Sequence, residues 1–214
     1  MNYDETTVDP ACFDQGNCHR IMFTIEKNNL RCFFGFLQHG FFVRTFIGKN
    51  LHNVLIDQFG INPDYVVNRI KTVFYNGKPV DNMKTAIVHD GTSLAFSAAM
   101  PGLVGATLRS GGVLSPFRAS ISFRGNDTEV AENKKGVVFI KLFNLLVPEI
   151  GPAFLSHGIL IEKLMLNSFL KDQTSNFWDQ CRSILLDDHL IDSEKLIQNG
   201  VPGPDKWVLL LVTT

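Results

Sequence analysis

Apolar and polar positions fall into short runs along most of this chain, and turn residues punctuate the runs. Ile21-Met22-Phe23-Thr24-Ile25 predicts a strand that Asn28-Asn29 ends; a Phe-rich stretch then runs to Gly40, and Phe41 to Ile47 predicts a second strand. Asn50 caps a predicted helix with Leu51, Val54, Leu55 and Phe59 on one face, stopped by Gly60. After Gly60-Ile61-Asn62-Pro63, residues Tyr65 to Ile70 read as another helical turn. Thr72 to Tyr75, Asn76-Gly77 and Lys78-Pro79-Val80 predict a hairpin, because Asn-Gly supplies the two positive-φ residues of a type I′ turn. Asp90-Gly91 leads into a last strand, Ser93 to Ala98.

The same order then returns. Phe36-Leu37-Gln38-His39-Gly40 before Phe41-Phe42-Val43 is echoed by Phe154-Leu155-Ser156-His157-Gly158 before Ile159-Leu160-Ile161. Val73 to Asp81 is echoed by Ile184 to Asp192, with Asp187-Asp188 at the turn. Val137 to Phe143 repeats the first strand and Leu145 to His157 the Phe-rich stretch, but nothing repeats Gly60-Ile61-Asn62-Pro63. Lys206 to Val212 closes the chain as a continuously apolar run, the signature of a strand central in its sheet. A repeat of roughly a hundred residues is too long for a solenoid unit and points to two copies of one small domain. The expected organisation is a mobile arm over 1–18, a first domain over 19–105, a linker over 106–118 and a second domain over 119–214. The fold class is α+β.

Composition narrows the function. Phe occurs 18 times against 3 Tyr and 2 Trp, so aromatic packing should carry much of both cores. A net charge of −1 supplies no basic field for a phosphate backbone, which argues against nucleic acid. Met1-Asn2-Tyr3-Asp4-Glu5 is acidic with no apolar core segment, and Leu94 to Ala106 is too short and interrupted to span a bilayer. Cys12, Cys18, Cys32 and Cys181 form no regular framework, so reduced thiols are the default. A cytoplasmic protein without a membrane partner is expected.

Gly48-Lys49-Asn50-Leu51-His52-Asn53-Val54-Leu55, Val73-Phe74-Tyr75-Asn76-Gly77-Lys78-Pro79-Val80 and Asp90-Gly91-Thr92-Ser93-Leu94-Ala95-Phe96 follow the order strand, strand, helix, hairpin, final strand. In them, residues 41–100 resemble the β-grasp (ubiquitin-like) sulfur-carrier superfamily, of the molybdopterin synthase small subunit and thiamine sulfur carrier type. The second copy shares the resemblance through the first. The resemblance implies two tandem β-grasp-like domains. It also implies a flexible tail ending in Gly-Gly, whose carboxylate a partner enzyme adenylates and converts to a thiocarboxylate. Only a tail without side chains threads into such an active site. Here Leu108-Arg109-Ser110-Gly111-Gly112 is internal and the sequence ends Val212-Thr213-Thr214. Carrier activity therefore requires cleavage after Gly112.

Several sets of residues invite a functional reading. Gly111 and Gly112 form a candidate processing site or, more ordinarily, an interdomain turn. Met100, Pro101, Gly102, Leu103, Val104 and Gly105 are more apolar than a linker needs, and form a candidate interaction segment that packs on a domain face or a partner. His39 and His157 are candidate paired ligands, or else helix ends whose glycines take the left-handed position. Cys12, Cys18, His19 and Cys32 offer thiolate and imidazole donors at a spacing unlike a zinc knuckle, and Cys181 reads as a core thiol. Asp187-Asp188-His189 sits in a predicted solvated turn. No phosphate-binding glycine loop, nucleophile elbow or metalloprotease helix motif is present. No catalytic residue, metal or cofactor is assigned. The expectation is a non-enzymatic binding or scaffold module whose open sheet faces and Met100–Ala106 segment recruit a protein or small ligand. A processed sulfur carrier and a small enzyme acting between the domains are the alternatives, and a homo-oligomer stays open.

Overall fold

The computed structural model describes Val8, Phe13 and residues 18–125 and 134–214. These form an α+β structure around one mixed ten-stranded sheet of order β4-β3-β5-β6-β2-β7-β10-β1-β8-β9. The strands of the first half are β1 (His19–Ile25), β2 (Phe41–Phe46), β3 (Thr72–Tyr75), β4 (Lys78–Pro79) and β5 (Ser93–Ser97). Those of the second are β6 (Lys135–Phe143), β7 (Ile159–Glu162), β8 (Cys181–Leu186), β9 (His189–Leu190) and β10 (Trp207–Thr213).

The two halves do not keep their first strands. β6, from the second half, lies between β5 and β2, parallel to the former and antiparallel to the latter. β1, from the first half, lies between β10 and β8, again parallel to one and antiparallel to the other. The halves meet where β2 pairs with β7 through Phe42 and Leu160. An aspartate of the opposite half anchors the start of each exchanged strand. Asp90 Oδ1 accepts the Val137 N–H at 2.7 Å, and Asp187 Oδ1 accepts the Arg20 N–H at 2.9 Å. Among the described residues β4 and β9 lie at the edges, and each is two residues long, a short edge being one of the ways a sheet limits edge-to-edge pairing.

The Phe-rich stretch becomes a 3₁₀ segment, Lys27–Phe33, running into α1 (Phe34–His39). Its counterpart is α5 (Leu146–His157). Asn50 caps the next helical stretch as its sequence predicts, its side chain accepting the Asn53 N–H before α2 (Leu51–Asn53) and a π-helical turn over Val54–Gln58. Asn62 caps α3 (Pro63–Asn68). The remaining helices are α4 (Gly102–Leu108), α6 (Lys163–Lys171), α7 (Ser175–Asp179) and α8 (Ser193–Asn199). Both hairpins turn through positive φ, at Asn76 and Gly77 in the first and at Asp187 and Asp188 in the second. β10 lies between β7 and β1, the interior position its apolar run predicts.

The aromatic core follows the strand exchange. Phe36 on α1 packs on Phe169 of α6 with centroids 5.0 Å apart. Phe154, its counterpart on α5, packs on Phe59 at 5.1 Å. Each half's first helix thus buries its ring against the other half, and one continuous core includes residues of both. Phe33 adds contacts to Phe23, Phe169 and Phe177 within 5.8 Å. Tilted and edge-on pairs of this kind add about 0.5–1.5 kcal/mol each beyond area burial. The boundary expected at 106–118 falls on the end of α4 and a 3₁₀ turn, Ser115–Arg118, while the strands on either side of it interleave.

Interleaving predicts one cooperative unfolding transition, with tryptophan fluorescence and far-ultraviolet circular dichroism coinciding. A fragment covering 19–118 should lack a native-like, dispersed amide spectrum, because β6 is missing from between its strands. Two resolved transitions, or a well-folded fragment, would contradict this.

Candidate functional site

Strand alternation puts two differently covered faces on this sheet. Phe41, Val43, Val138, Ile140, Leu142, Leu210 and Val212 point to the helices and are buried. On the opposite face, register partners line up across the centre: Phe139 with Phe42, Phe42 with Leu160, and Leu160 with Leu209. This row draws on both halves. Trp207 extends it, its ring edge-on to Phe42 at 5.2 Å, with Phe42 in turn 4.9 Å from Phe139. Phe42, Phe139, Trp207 and Leu209 remain half-buried.

Cations edge the row. Lys141 Nζ lies 5.5 Å from the Phe139 centroid, and Lys206 Nζ lies 5.0 Å from that of Trp207. Arg44 stacks 5.5 Å over Phe13. Such contacts contribute about 0.5–1 kcal/mol where exposed. Val8, 9% exposed, packs with Val137 and Leu160, and Phe13 and Cys18 join the same small cluster. The rest of the arm expected over 1–18, Cys12 included, lies outside the described residues.

His39 and His157 end α1 and α5, and the glycines after them adopt matching conformations, Gly40 at φ 121 and ψ 147 and Gly158 at φ 100 and ψ 128. Each glycine N–H returns to a helix carbonyl, of Phe36 or Phe154. His157 Nδ1 lies 2.7 Å from the Ala153 carbonyl, one turn back, so that nitrogen carries the proton. The two histidines line separate clefts. His157 faces Arg44, Gln58, Phe59 and Phe13 around about 180 Å³. His39 faces Cys32, Met165 and Phe169 around about 260 Å³. Both fall below the roughly 300–1,000 Å³ of ordinary small-molecule sites.

The Gly111-Gly112 segment is tied to the first half. Arg118, 3% exposed, forms bonds of 2.7 and 3.2 Å to the Asp81 carboxylate and one of 2.7 Å to the Thr107 carbonyl. Ser110 Oγ donates to the Val80 carbonyl at 2.6 Å, and the Gly111 N–H to Asp81 at 3.2 Å. Of the candidate interaction segment, Gly105 is buried against Met100, whereas Leu103 and Val104 are exposed on α4.

Other chemistry-bearing groups prove to hold elements together. Glu149 on α5 accepts from Tyr65 Oη at 2.5 Å and from the Arg69 guanidinium, joining α3 of the first half to the second. The Arg69 hydrogen bonds hold the Glu149 carboxyl below its ordinary value, with the Tyr65 bond adding to the effect. Burial, with the neighbouring carboxylate, pushes the Tyr65 phenol above its ordinary range. His19 pairs with Asp187 at 2.6 Å, a contact between residues far apart in sequence. Burial alone would raise the Asp187 carboxyl, but the Arg20 amide and the His19 ring outweigh it and hold it low. Burial, with Cys32 nearby, pushes the Cys181 thiol up to about 11, as suits a core thiol. Among the described residues no three His, Cys, Asp or Glu side chains gather as metal ligands, and no helix is long and apolar enough to cross a membrane.

No protein-family model matches the chain, and comparison with curated proteins and with solved structures likewise finds no match.

Two substitutions test this geometry. Gly40 occupies a backbone region essentially reserved for glycine, and a Cβ there would strike the Phe139 ring. Gly40→Ala should therefore cost more than about 1–3 kcal/mol in denaturant unfolding. Glu149, with its carboxyl depressed in the folded state, contributes stability above its unfolded value near 4.5, and that contribution is lost as pH falls through the folded value. Glu149→Gln should lower the melting temperature at pH 7, with the difference from the parent chain shrinking as pH falls below the unfolded value and through the depressed folded one. A pH-independent difference would refute the linkage.

Proposed function

We propose that this chain is a non-enzymatic binding module made of two β-grasp-like halves with exchanged first strands, and that its recognition surface is the cation-edged aromatic face. The observation that carries the reading is the row Phe139, Phe42, Leu160 and Leu209, with Trp207 beside it. Apolar rings on the central strands of a single domain are ordinarily covered by a helical layer, and here the helices cover the other face. The repeated order of strand, helix, strand, helical stretch, hairpin and final strand supports descent of both halves from one β-grasp-like unit. The helix between the first two strands, α1 or α5, is an addition to the pattern that the resemblance implies.

Three observations disfavour the competing classes. Cleavage after Gly112 would leave β5 and β2 separated by a strand of the other fragment, so a carrier could not depart without dismantling the sheet. The Arg118–Asp81 clamp further withholds the diglycine from any threading site. The two clefts at the histidines are small for an enzyme's substrate. Leu103 and Val104, exposed on α4, offer a second apolar contact.

The test is the intact mass of the chain recovered from its native cells. An unbroken 24.0 kDa species, retained in a stoichiometric complex by native mass spectrometry, is expected. A fragment ending at Gly112, or its thiocarboxylate, would overturn the reading in favour of the carrier.

A further inference from the structure

We propose that α4 and the turns after it form a surface that docks on an anionic lipid membrane, with Val113 and Phe117 entering the layer between headgroups and acyl chains. The proposal goes beyond the reading of the aromatic face and does not rest on it. It revises the expectation of a chain without a membrane partner. No spanning helix is needed, because attachment from one side uses exposed apolar side chains and charge.

Apolar exposure is concentrated on this segment. Leu103, Val104, Val113, Phe117 and Ile121 are all exposed, Val113 at 93% and Phe117 at 83%. The fold holds the segment in place. The buried Arg118 guanidinium bonds to the Thr107 carbonyl on α4 at 2.7 Å, to Asp81 after β4 at 2.7 Å and to Ser122 Oγ at 2.6 Å. The Ser110 N–H donates to the Lys71 carbonyl and the Phe123 N–H to the Pro79 carbonyl, both at 2.8 Å, which lays the segment beside β3 and β4. A buried clamp that presents apolar side chains to water works against solubility. Exposed apolar surface gathered on one ordered segment marks an interaction site.

The surrounding charge identifies the occupant. No aspartate or glutamate occurs between Asp90 and Asp127, whereas Arg109 and Arg124 fall in that interval and are exposed. Neighbouring backbone adds Lys71, bonded through its carbonyl to Ser110, and Lys78 next to Pro79. It also adds Lys84, next to Thr85, whose carbonyl lies against Gly125. Lys71 Nζ donates to the Val67 carbonyl and keeps its charge. Among the described residues none of these five cations forms an ion pair with a carboxylate, and Asp81, which touches the segment, is held by Arg118. Like charge disfavours a second copy, because a two-fold contact would set these cations against one another. A bilayer interface accepts protruding side chains without a shaped pocket. Its anionic headgroups attract each nearby Lys or Arg by about fivefold in partitioning. Burying a ring such as that of Phe117 adds a factor of about tenfold or more.

The test is co-sedimentation of the full-length chain with vesicles of phosphatidylcholine alone or of an equimolar mixture with phosphatidylserine. Binding to the mixed vesicles, weakened by salt, and little binding to phosphatidylcholine alone are expected. Val113→Ser/Phe117→Ser should lower partitioning about tenfold or more, and Arg109→Gln and Arg124→Gln about fivefold each. Leu164→Ser and Leu190→Ser, at exposed apolar positions elsewhere, should leave it unchanged. Phe117→Trp should keep binding, with the added tryptophan's emission moving to the blue on mixed vesicles. Melting curves establish that each variant is folded. No binding to mixed vesicles, equal binding to both kinds, or binding indifferent to the Phe117 and arginine substitutions overturns the proposal. A parent chain that ignores vesicles, but loses a stoichiometric protein complex in native mass spectrometry on Val113→Ser/Phe117→Ser, also overturns it and assigns the surface to a protein partner.

Discussion

The exchange of β1 and β6 is the constraint on which the rest of the molecule depends. A strand interior to a sheet must satisfy its backbone groups on both sides, and unpaired buried amides or carbonyls are costly. β6 does this only by pairing with β5 and β2, and β1 only by pairing with β10 and β8. Each half therefore lacks an interior strand until the other supplies it. The Asp90 and Asp187 anchors, the crossed Phe36–Phe169 and Phe154–Phe59 pairs and the Tyr65–Arg69–Glu149 cluster all join one half to the other.

That constraint also produces the surface to which we assign function. The row from Phe139 to Leu209 runs over β6, β2, β7 and β10: β6 reaches β2 through the exchange, β2 meets β7 where the halves join, and β7 pairs with β10 within the second half. Two halves that each closed a sheet of their own would split these rings between two sheets. The face is therefore a property of the two halves together.

The exchange is not fully symmetrical. In the first half the order running inward from the hairpin is β4, β3, β5, β6, β2; in the second it is β9, β8, β1, β10, β7. The exchanged strand stands beside the second strand in one half and beside the hairpin in the other. The anchors differ accordingly, with Asp90 in the loop before β5 and Asp187 in the β8–β9 turn. The two halves also differ in sequence at Gly60-Ile61-Asn62-Pro63, which has no counterpart in the second, and in the hairpin turn.

Local physics made much of this legible in the sequence. The Asn76-Gly77 turn, the Asn50 cap, the helix ends at His39-Gly40 and His157-Gly158 and the interior character of Lys206 to Val212 depend on neighbours along the chain, which the sequence displays. The α+β class was legible for the same reason. The partner of each strand was not. Alternation specifies which side chains share a face, but the apolar patterns of β6 and β1 do not name the strands beside them. Nothing local links His19 to Asp187, or Tyr65 and Arg69 to Glu149, because ion pairs between residues this far apart in the chain follow from the fold and do not direct it. Element types and turns were thus determined by the sequence alone. Pairing, and with it the shared aromatic face, was decided only by the tertiary structure, because backbone hydrogen bonds between distant strands are the same for every residue type and leave no local mark in the sequence.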